Sequence, residues 1–361
     1  MKHVYIVDSI GIHCGMNYYA DSFKSVIGEK GFSSTVLSNY SENNHNPLFY
    51  NFYKGNFVVK ILKLFISCLR LFYKVLRDRE SVYIIFSYGT IIDFFLLLIT
   101  LCAKNRMIDV HEVIQQGSER KIMFRHIYSF IYRHMGIAII HSKRSDFFLS
   151  EIGFKGRVIF VPHFEYQVSS KYNEEQINPD VRNLISNKIN ILWFGNITFS
   201  KGIDLFIDNI NSLPVNVKNK INIIIAGRSL DGTFEKCNVS DSVFSITLKY
   251  INDDEMTYLY TQTDYVVLPY RQTSQSGVLE MAFHYQKPVI VSNIPYFSMM
   301  LNKYPSFGVV TEIHKEVFCK TIESLTQYEQ QFYTEKDVFN YCHREEIREF
   351  ANEFEEVILK L

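Results

Sequence analysis

Four segments of this sequence place glycines and ionisable side chains directly after short apolar runs. In Trp193-Phe194-Gly195-Asn196-Ile197-Thr198-Phe199-Ser200-Lys201-Gly202-Ile203-Asp204, a glycine ends the run and a lysine opens the next amphipathic segment. A lysine at a helix start opposes the helix dipole, and the placement is better tolerated when the ammonium meets an anion. In Leu268 to Ala282, a polar loop holding Arg271 and Gln272 leads into Ser276-Gly277, with Glu280 about one turn further on. A helix start of this kind offers free N–H groups to phosphate, and the carboxylate of Glu280 would reach a ribose whose diphosphate is held there. Asp109-Val110-His111-Glu112 groups a histidine with two acids, a set able to position hydroxyls or stabilise charge. The loop Ser9 to Asn17 contains Gly11, His13 and Gly15, and its glycines would let the backbone approach a phosphate closely. Each segment also has a plainer reading: a turn, a structural histidine, a solvated lysine or a surface glutamate.

The surrounding elements would place these residues at one edge of a sheet. The runs HVYIVDSI, SVYIIFS, RMIDVHE, GIAIIHS and RVIFVPH are short and rich in valine and isoleucine, and they alternate with longer amphipathic segments. Strands of a parallel sheet covered on both faces read this way. A polar stretch from Tyr166 to Asn187 interrupts the pattern and reads as an interdomain connection. The alternation then resumes with INILWFGN, a helix from Lys201, INIIIAG, VFSITLKY, a helix from Asp253, DYVVLPY, a helix near Gly277 and PVIVSN. The expected fold is α/β with two doubly wound, Rossmann-like domains, over 1–165 and 166–343, and a closing helix over 344–361. Ligands on such sheets bind outside the carboxyl ends of the strands, where the four segments fall.

Bulk properties narrow the function. The 361 residues suit two domains, and 38 basic against 38 acidic side chains argue against general nucleic-acid binding. The six cysteines, Cys14, Cys68, Cys102, Cys237, Cys319 and Cys342, form no CxxC pair, so neither a zinc site nor a disulfide framework is expected. The N-terminal apolar run stops at Asp8 and reads as a strand rather than a signal peptide. No uncharged apolar stretch of about 20 residues is present to span a membrane. No GxGxxG follows a strand, which disfavours a nicotinamide oxidoreductase.

The segments INILWFGNITFSKGIDLFI, INIIIAGRS and YINDDEMTYLYTQTDYVVLPYRQTSQSGVLEMAFHYQKPVIVSN together resemble the C-terminal half of glycosyltransferase family 4 of bacteria. VIFVPHFEY is similar to the segment that ends the first domain of that family, and RMIDVHE to its histidine-bearing strand. The likeness spans nearly the whole chain and is strongest from about Asn190 to Asn293. It implies a GT-B fold, two Rossmann-like domains facing across a cleft, and a retaining transfer from a nucleotide-diphosphate sugar. It also implies that no cofactor or active-site metal is needed. Gly15, Gly195, Asn196, Lys201, Arg228, Gln272, Ser276, Gly277 and Glu280 would bind the donor. His111, Lys201 and Arg271 would serve catalysis, with His13 and Glu112 on the acceptor or sugar side. Two positions depart from the family pattern. Gln272 stands where the first carboxylate of a glutamate pair belongs, eight residues before Glu280, and Asn196 replaces an arginine that Arg271 could supply. These departures leave two alternatives: a sugar-nucleotide-binding protein with a decayed site, or an epimerase of the same architecture.

Phe57 to Arg79, FVVKILKLFISCLRLFYKVLRDR, carries Lys60, Lys63, Ser67, Arg70, Lys74 and Arg77 within one stripe at helical spacing, beside a broad apolar surface. An interfacial membrane helix combines these two features, and so does a core helix with a solvated basic face. The membrane reading places the protein in the cytoplasm, peripheral at the inner membrane through residues 57–79. There it would act on a lipid-linked glycan of a surface polysaccharide such as O-antigen, capsule or exopolysaccharide.

Overall fold

A computed structural model describes residues 2–11, 16–38, 55–111, 129–161, 163–164, 166, 168–239, 242–273, 275–327, 332 and 344–361. The expected site residues His13, Gly15 and Glu112 lie outside them. The chain divides into two compact units: residues 1–167 with 343–361, and residues 168–342.

Unit 1 is built on a six-stranded sheet in the order β2-β1-β3-β4-β5-β6. The strands are β1 (Val4–Val7), β2 (Ser34–Leu37), β3 (Val82–Ser87), β4 (Asn105–Val110), β5 (Ile137–Ile140) and β6 (Arg157–Phe160). Every pairing is parallel. All six residues of β3 are buried, as expected for a central strand covered on both faces. The described helices of this unit are α1 (Met16–Glu29), α2 (Phe57–Arg77), α3 (Ile91–Thr100), α4 (Lys143–Glu151) and α10 (Arg344–Lys360). The expected closing helix is α10, and it packs within unit 1. Its Phe350 and Phe354 meet Phe23 edge-on, and its Glu353 accepts from Arg157 at 2.8 Å.

Unit 2 holds β7 (Ile189–Phe194), β8 (Ile221–Ala226), β9 (Phe244–Thr247), β10 (Tyr265–Leu268), β11 (Val289–Ser292) and β12 (Gly308–Thr311). The sheet order is β12-β11-β10-β7-β8-β9, again all parallel. The longer helices are α5 (Ile203–Asn211), α6 (Asp253–Gln262), α7 (Gly277–His284), α8 (Pro295–Lys303) and α9 (Lys315–Gln327). From Val168 on, the stretch read as a connection belongs to this unit, and its Ile177, Val181 and Leu184 are buried. Its polar residues are spent on caps: Asn173 accepts from the Glu175 amide and Asn178 from the Asp180 amide.

The sequence pattern did not reveal β2 and β12. Both are four-residue edge strands with only part of their length buried, so neither shows the continuous apolar run of an interior strand. α2 departs from the core-helix alternative. Only Ser67, Leu71 and Val75 are buried, while Phe57, Ile61, Leu62, Phe65, Leu69, Phe72 and Leu76 are exposed, Phe57 by 77%. Within the basic stripe, Ser67 is buried and its hydroxyl bonds the Lys63 carbonyl. Among the described residues, no helix is long and apolar enough to cross a membrane.

Candidate functional site

In each sheet the strand order reverses at one point, and ligands on open sheets of this kind bind beside such a point, outside the carboxyl ends of the strands. In unit 2 that point lies between β7 and β10. The loop after β7 begins with Gly195, whose φ of 104° suits only glycine. A Cβ added there would lie 3.2 Å from Lys201 Nζ and 3.6 Å from Val278 Cγ2. The lysine ammonium therefore sits directly over Gly195, beside the second residue of α7. The faces of Trp193 and Tyr270 lie 5.9 Å and 5.6 Å from the same ammonium. Lys201 does not open a helix, as its sequence position suggested. It ends a short 3-10 turn, Phe199–Lys201, and Gly202 in the left-handed region (φ 66°) separates that turn from α5. A Cβ on Gly202 would lie 2.0 Å from the Pro269 carbonyl oxygen, so the two loops touch through backbone.

α7 opens at this place. Ser276 is its N-cap, accepting from the Leu279 amide at 3.3 Å, and the first internal helical bond is Glu280 N to Ser276 O at 3.2 Å. The amides of Gly277 and Val278 precede that bond and face out of the helix start, the usual anion-binding arrangement. Glu280 is 2% exposed in the first turn. Gln272 is exposed, while Asn196 and Arg228 are half-buried. The Arg228 carbonyl accepts from Ile197 N at 2.7 Å, and its guanidinium lies 5.5 Å from the Tyr250 ring centre. Arg271 has a task that the sequence did not disclose. Its Nη1 and Nη2 donate to the two carboxylate oxygens of Asp204, each at 2.7 Å, and Nη1 also donates to the Phe199 carbonyl at 2.7 Å. Burial pushes the Asp204 carboxyl up, but the hydrogen bonds and charge of Arg271 hold it below the usual carboxylate range.

The corresponding edge of unit 1 carries a different chemistry. Its order reverses between β1 and β3, where Tyr88 donates to Asp8 at 2.9 Å and Ser9 donates to Asp93 at 3.1 Å. Asp8 also accepts from the Ile10 and Gly11 amides, both at 2.9 Å. Next to this lies a buried histidine cluster. His111 is stacked between Tyr88 and His141, with ring centres 5.2 Å and 4.9 Å away. Tyr19 donates to Asp109 Oδ2 at 2.8 Å, and His141 Nε2 lies 2.6 Å from Asp109 Oδ1. His141 Nδ1 faces the Val161 carbonyl at 3.1 Å, so both of its ring nitrogens face oxygen atoms. At His163, Nδ1 lies 2.9 Å from the Phe164 carbonyl and Nε2 lies 3.1 Å from the Tyr166 hydroxyl, which suits a neutral ring. Burial pushes His163 down to about 4 and His111 to about 3. Burial raises Asp109, but the nearby His111 and His141 outweigh it and leave the carboxyl below its ordinary value.

Asp109, His111 and His141 bring ligand-type atoms within 4.8 Å of one another. The 2.6 Å between His141 Nε2 and Asp109 Oδ1 is a hydrogen-bond distance, shorter than the roughly 3.3 Å that separates two ligand atoms around tetrahedral zinc. Hydrogen bonding accounts for the Asp109–His141 pair as it stands, while His111 Nε2 lies 3.6 Å from the same carboxylate oxygen. His141 and His163 were missed in the sequence, although they do carry a signal there: three successive apolar runs, ending at β4, β5 and β6, each finish on or near a histidine.

Residues 188–327 match the family described as glycosyl transferases group 1. No curated protein matches the chain. Among solved structures, a sucrose-phosphate synthase from Thermosynechococcus elongatus is similar over 100% of both chains, at 12% identity and a TM-score of 0.73. WaaG, a glycosyltransferase involved in lipopolysaccharide biosynthesis, is similar over 98% of this chain and 99% of its own, at 14% identity and a TM-score of 0.66. HepE of Anabaena in complex with UDP is similar over 100% of both chains, at 12% identity and a TM-score of 0.64. At such identities the likeness shows the fold, which is GT-B. With the match over 188–327, unit 2 carries a group 1 glycosyltransferase domain, and the chain is a glycosyltransferase.

Proposed function

We propose that the protein transfers a sugar, with retention of configuration, from a nucleotide-diphosphate donor held by unit 2 to a lipid-linked glycan of a bacterial surface polysaccharide. One observation carries the donor half of this reading: Lys201 Nζ, Gly195 and the start of α7 meet at the strand-order reversal of unit 2. A diphosphate placed there would meet an ammonium, a bare backbone and outward-facing amides together. Glu280 would take the ribose hydroxyls. In the transfer, the bond from the anomeric carbon to the phosphate oxygen breaks and its electron pair leaves with the diphosphate. The acceptor hydroxyl oxygen bonds the same carbon, and its proton passes to the departing phosphate. Lys201 and the α7 amides would stabilise the charge that grows on the leaving group, a preorganised role that needs no metal or other cofactor. His111 would lie on the sugar side. HepE was solved with UDP, which makes UDP-sugars the first donors to test.

The exposed face of α2 supports the acceptor half. On a helical projection its exposed apolar residues span roughly 200°, with Arg70 and Arg77 along one border and Lys60 beyond them. A surface of that kind, basic at its edge, suits the boundary of an anionic membrane. The protein would then sit at the inner face of a membrane, where a lipid-linked acceptor is anchored. The role of WaaG in lipopolysaccharide biosynthesis agrees with an acceptor of this class.

Thermal shift with UDP-, GDP-, TDP- and CMP-sugars should single out the donor, since a ligand that binds only the folded state raises its apparent stability. Incubation of that donor with lipid-linked acceptor should yield a product of unchanged anomeric configuration. Donor conversion without acceptor would mark an epimerase, and binding without turnover a decayed site. Stabilisation by none of these donors would overturn the reading.

A further inference from the structure

Arg271 is the cation that the sequence offered in place of the missing arginine, yet its geometry points elsewhere. Three of its guanidinium hydrogen bonds go to Asp204 and the Phe199 carbonyl. Its planar face lies over the Phe199 ring, 3.9 Å from the centre. Its backbone amide donates to the Ser200 carbonyl at 2.8 Å. Every one of these contacts falls on the 3-10 turn that ends in Lys201 or on the first turn of α5 just beyond it. The close approach of Gly202 to the Pro269 carbonyl ties the same two loops again. These loops follow β7 and β10, the strands that flank the order reversal.

We propose that Asp204 and Arg271 form a latch that fixes the Lys201 turn, so that both are positioning residues for the Lys201 ammonium and Arg271 is not itself a ligand of the diphosphate. The inference rests on the reading of Lys201 as the diphosphate contact only for its consequence in catalysis; the latch itself is a statement about where Lys201 sits. A guanidinium fits this task and an ammonium does not, because only the planar fork can grip both carboxylate oxygens while its face covers an aromatic ring. Direct binding and latching predict opposite effects of removing the Asp204 charge. If Arg271 bound phosphate directly, Asp204→Asn would release it toward the anion and leave affinity unchanged or tighter. If the pair is a latch, Asp204→Asn loosens the turn as Arg271→Gln does.

The molecule contains its own reporter. Trp193 is the single tryptophan, and the Lys201 ammonium lies 5.9 Å from its ring. The full-length chain is used throughout, with thermal melts to confirm that each variant is folded. Lys201→Met should shift the Trp193 emission. Asp204→Asn, Arg271→Gln and Arg271→Lys should shift it too, the double variant Asp204→Asn/Arg271→Gln no further than either single one. In a Lys201→Met background, the latch substitutions should add nothing. Wild-type emission in folded Asp204→Asn and Arg271→Gln would overturn the latch. UDP titration by calorimetry gives the second readout: both single variants should bind UDP about tenfold more weakly, as expected for a misplaced charge-assisted contact, and the double variant equally so. Unchanged or tighter UDP binding in Asp204→Asn, with weaker binding in Arg271→Gln, would make Arg271 a direct ligand and sink the proposal. UDP affinity unaltered by Lys201→Met, with the emission shifts as expected, would instead overturn the diphosphate reading of Lys201 and leave the latch standing.

Discussion

The two units share a six-stranded parallel sheet but differ in strand order and in what their carboxyl edges display. Counted from its own first strand, unit 2 has the order 3-2-1-4-5-6 of dinucleotide-binding domains, and unit 1 has 2-1-3-4-5-6. At the reversal in unit 2 stand a lysine, glycines with positive φ and a helix start. At the edge of unit 1 stand three aspartates, three histidines and the hydroxyls of Tyr19 and Tyr88, nearly all buried. On the proposed reading, one edge would suit an anion and the other neutral hydroxyls. The same fold would then host both halves of a transfer, with the division of labour in the loops rather than in the sheets.

Lys201→Ala should break the comparison most severely. Turnover should fall about 10²–10³-fold, the usual loss on removing one preorganised donor to a developing anion. The melting temperature should barely move, since the side chain is only half-buried. Near wild-type transfer in single-turnover kinetics would take the anion site away from the edge of unit 2.

Much of this arrangement was legible in the sequence, and what was hidden had physical reasons. The interior strands announced themselves by short runs rich in valine and isoleucine, and the edge strands Ser34–Leu37 and Gly308–Thr311 did not, because half-exposed edges need no such runs. Lys201 was visible, but its position off the helix depends on the left-handed Gly202 and the Pro269 carbonyl, a contact between loops far apart in the chain. The partner of Arg271 is 67 residues away, and nothing in local spacing singles out Asp204. The strand-terminal histidines could be read singly, but the order β4-β5-β6 that gathers them is a property of topology.

The next prediction sets the outer face of unit 1 against the rest of the molecule. Replacing Lys60, Arg70 and Arg77 by glutamine removes three exposed charges, each worth about 1 kcal/mol near an anionic surface. Sedimentation with anionic vesicles should weaken by about 100-fold at low salt, and the difference should shrink as salt rises. Donor binding by unit 2 should be untouched. If wild type ignores vesicles, α2 serves some other partner.

Glu280→Gln sharpens the picture of unit 2 from within. It keeps the buried volume and removes the charge, so donor affinity should drop by about 1.5–3 kcal/mol, the worth of a charge-assisted hydrogen bond. Nucleoside diphosphate and nucleotide sugar should lose equally in calorimetry, because both carry the ribose. Equal affinity in variant and wild type would remove Glu280 from the ribose.

The smallest expected effect concerns acid. His111 and His163 are held near 3 and 4 in the folded unit 1, against 6.5 for a free histidine. The unfolded chain therefore binds more protons than the folded one between those values. Their contribution is complete above about pH 6.5 and is lost as pH falls toward 4 and then 3. One pH unit below the free value, each histidine costs the folded state about 1.4 kcal/mol. Asp93 works the other way: burial raises its carboxyl to about 6, so it favours the folded state increasingly as pH falls from 6 toward 3.8. Two histidines against one aspartate leave a net loss on acidification. Hydrogen exchange at pH 5.5 should accordingly show faster opening of β3, β4 and β5 than at pH 7.5. His163→Gln should flatten that dependence, because a neutral amide can donate to the Phe164 carbonyl or accept from Tyr166 without titrating. Exchange in β7, β8 and β10 serves as the internal control and should change less over the same range. Equal acid sensitivity in the two sheets, or no flattening in His163→Gln, would mean that the buried histidines of unit 1 do not set its response to pH.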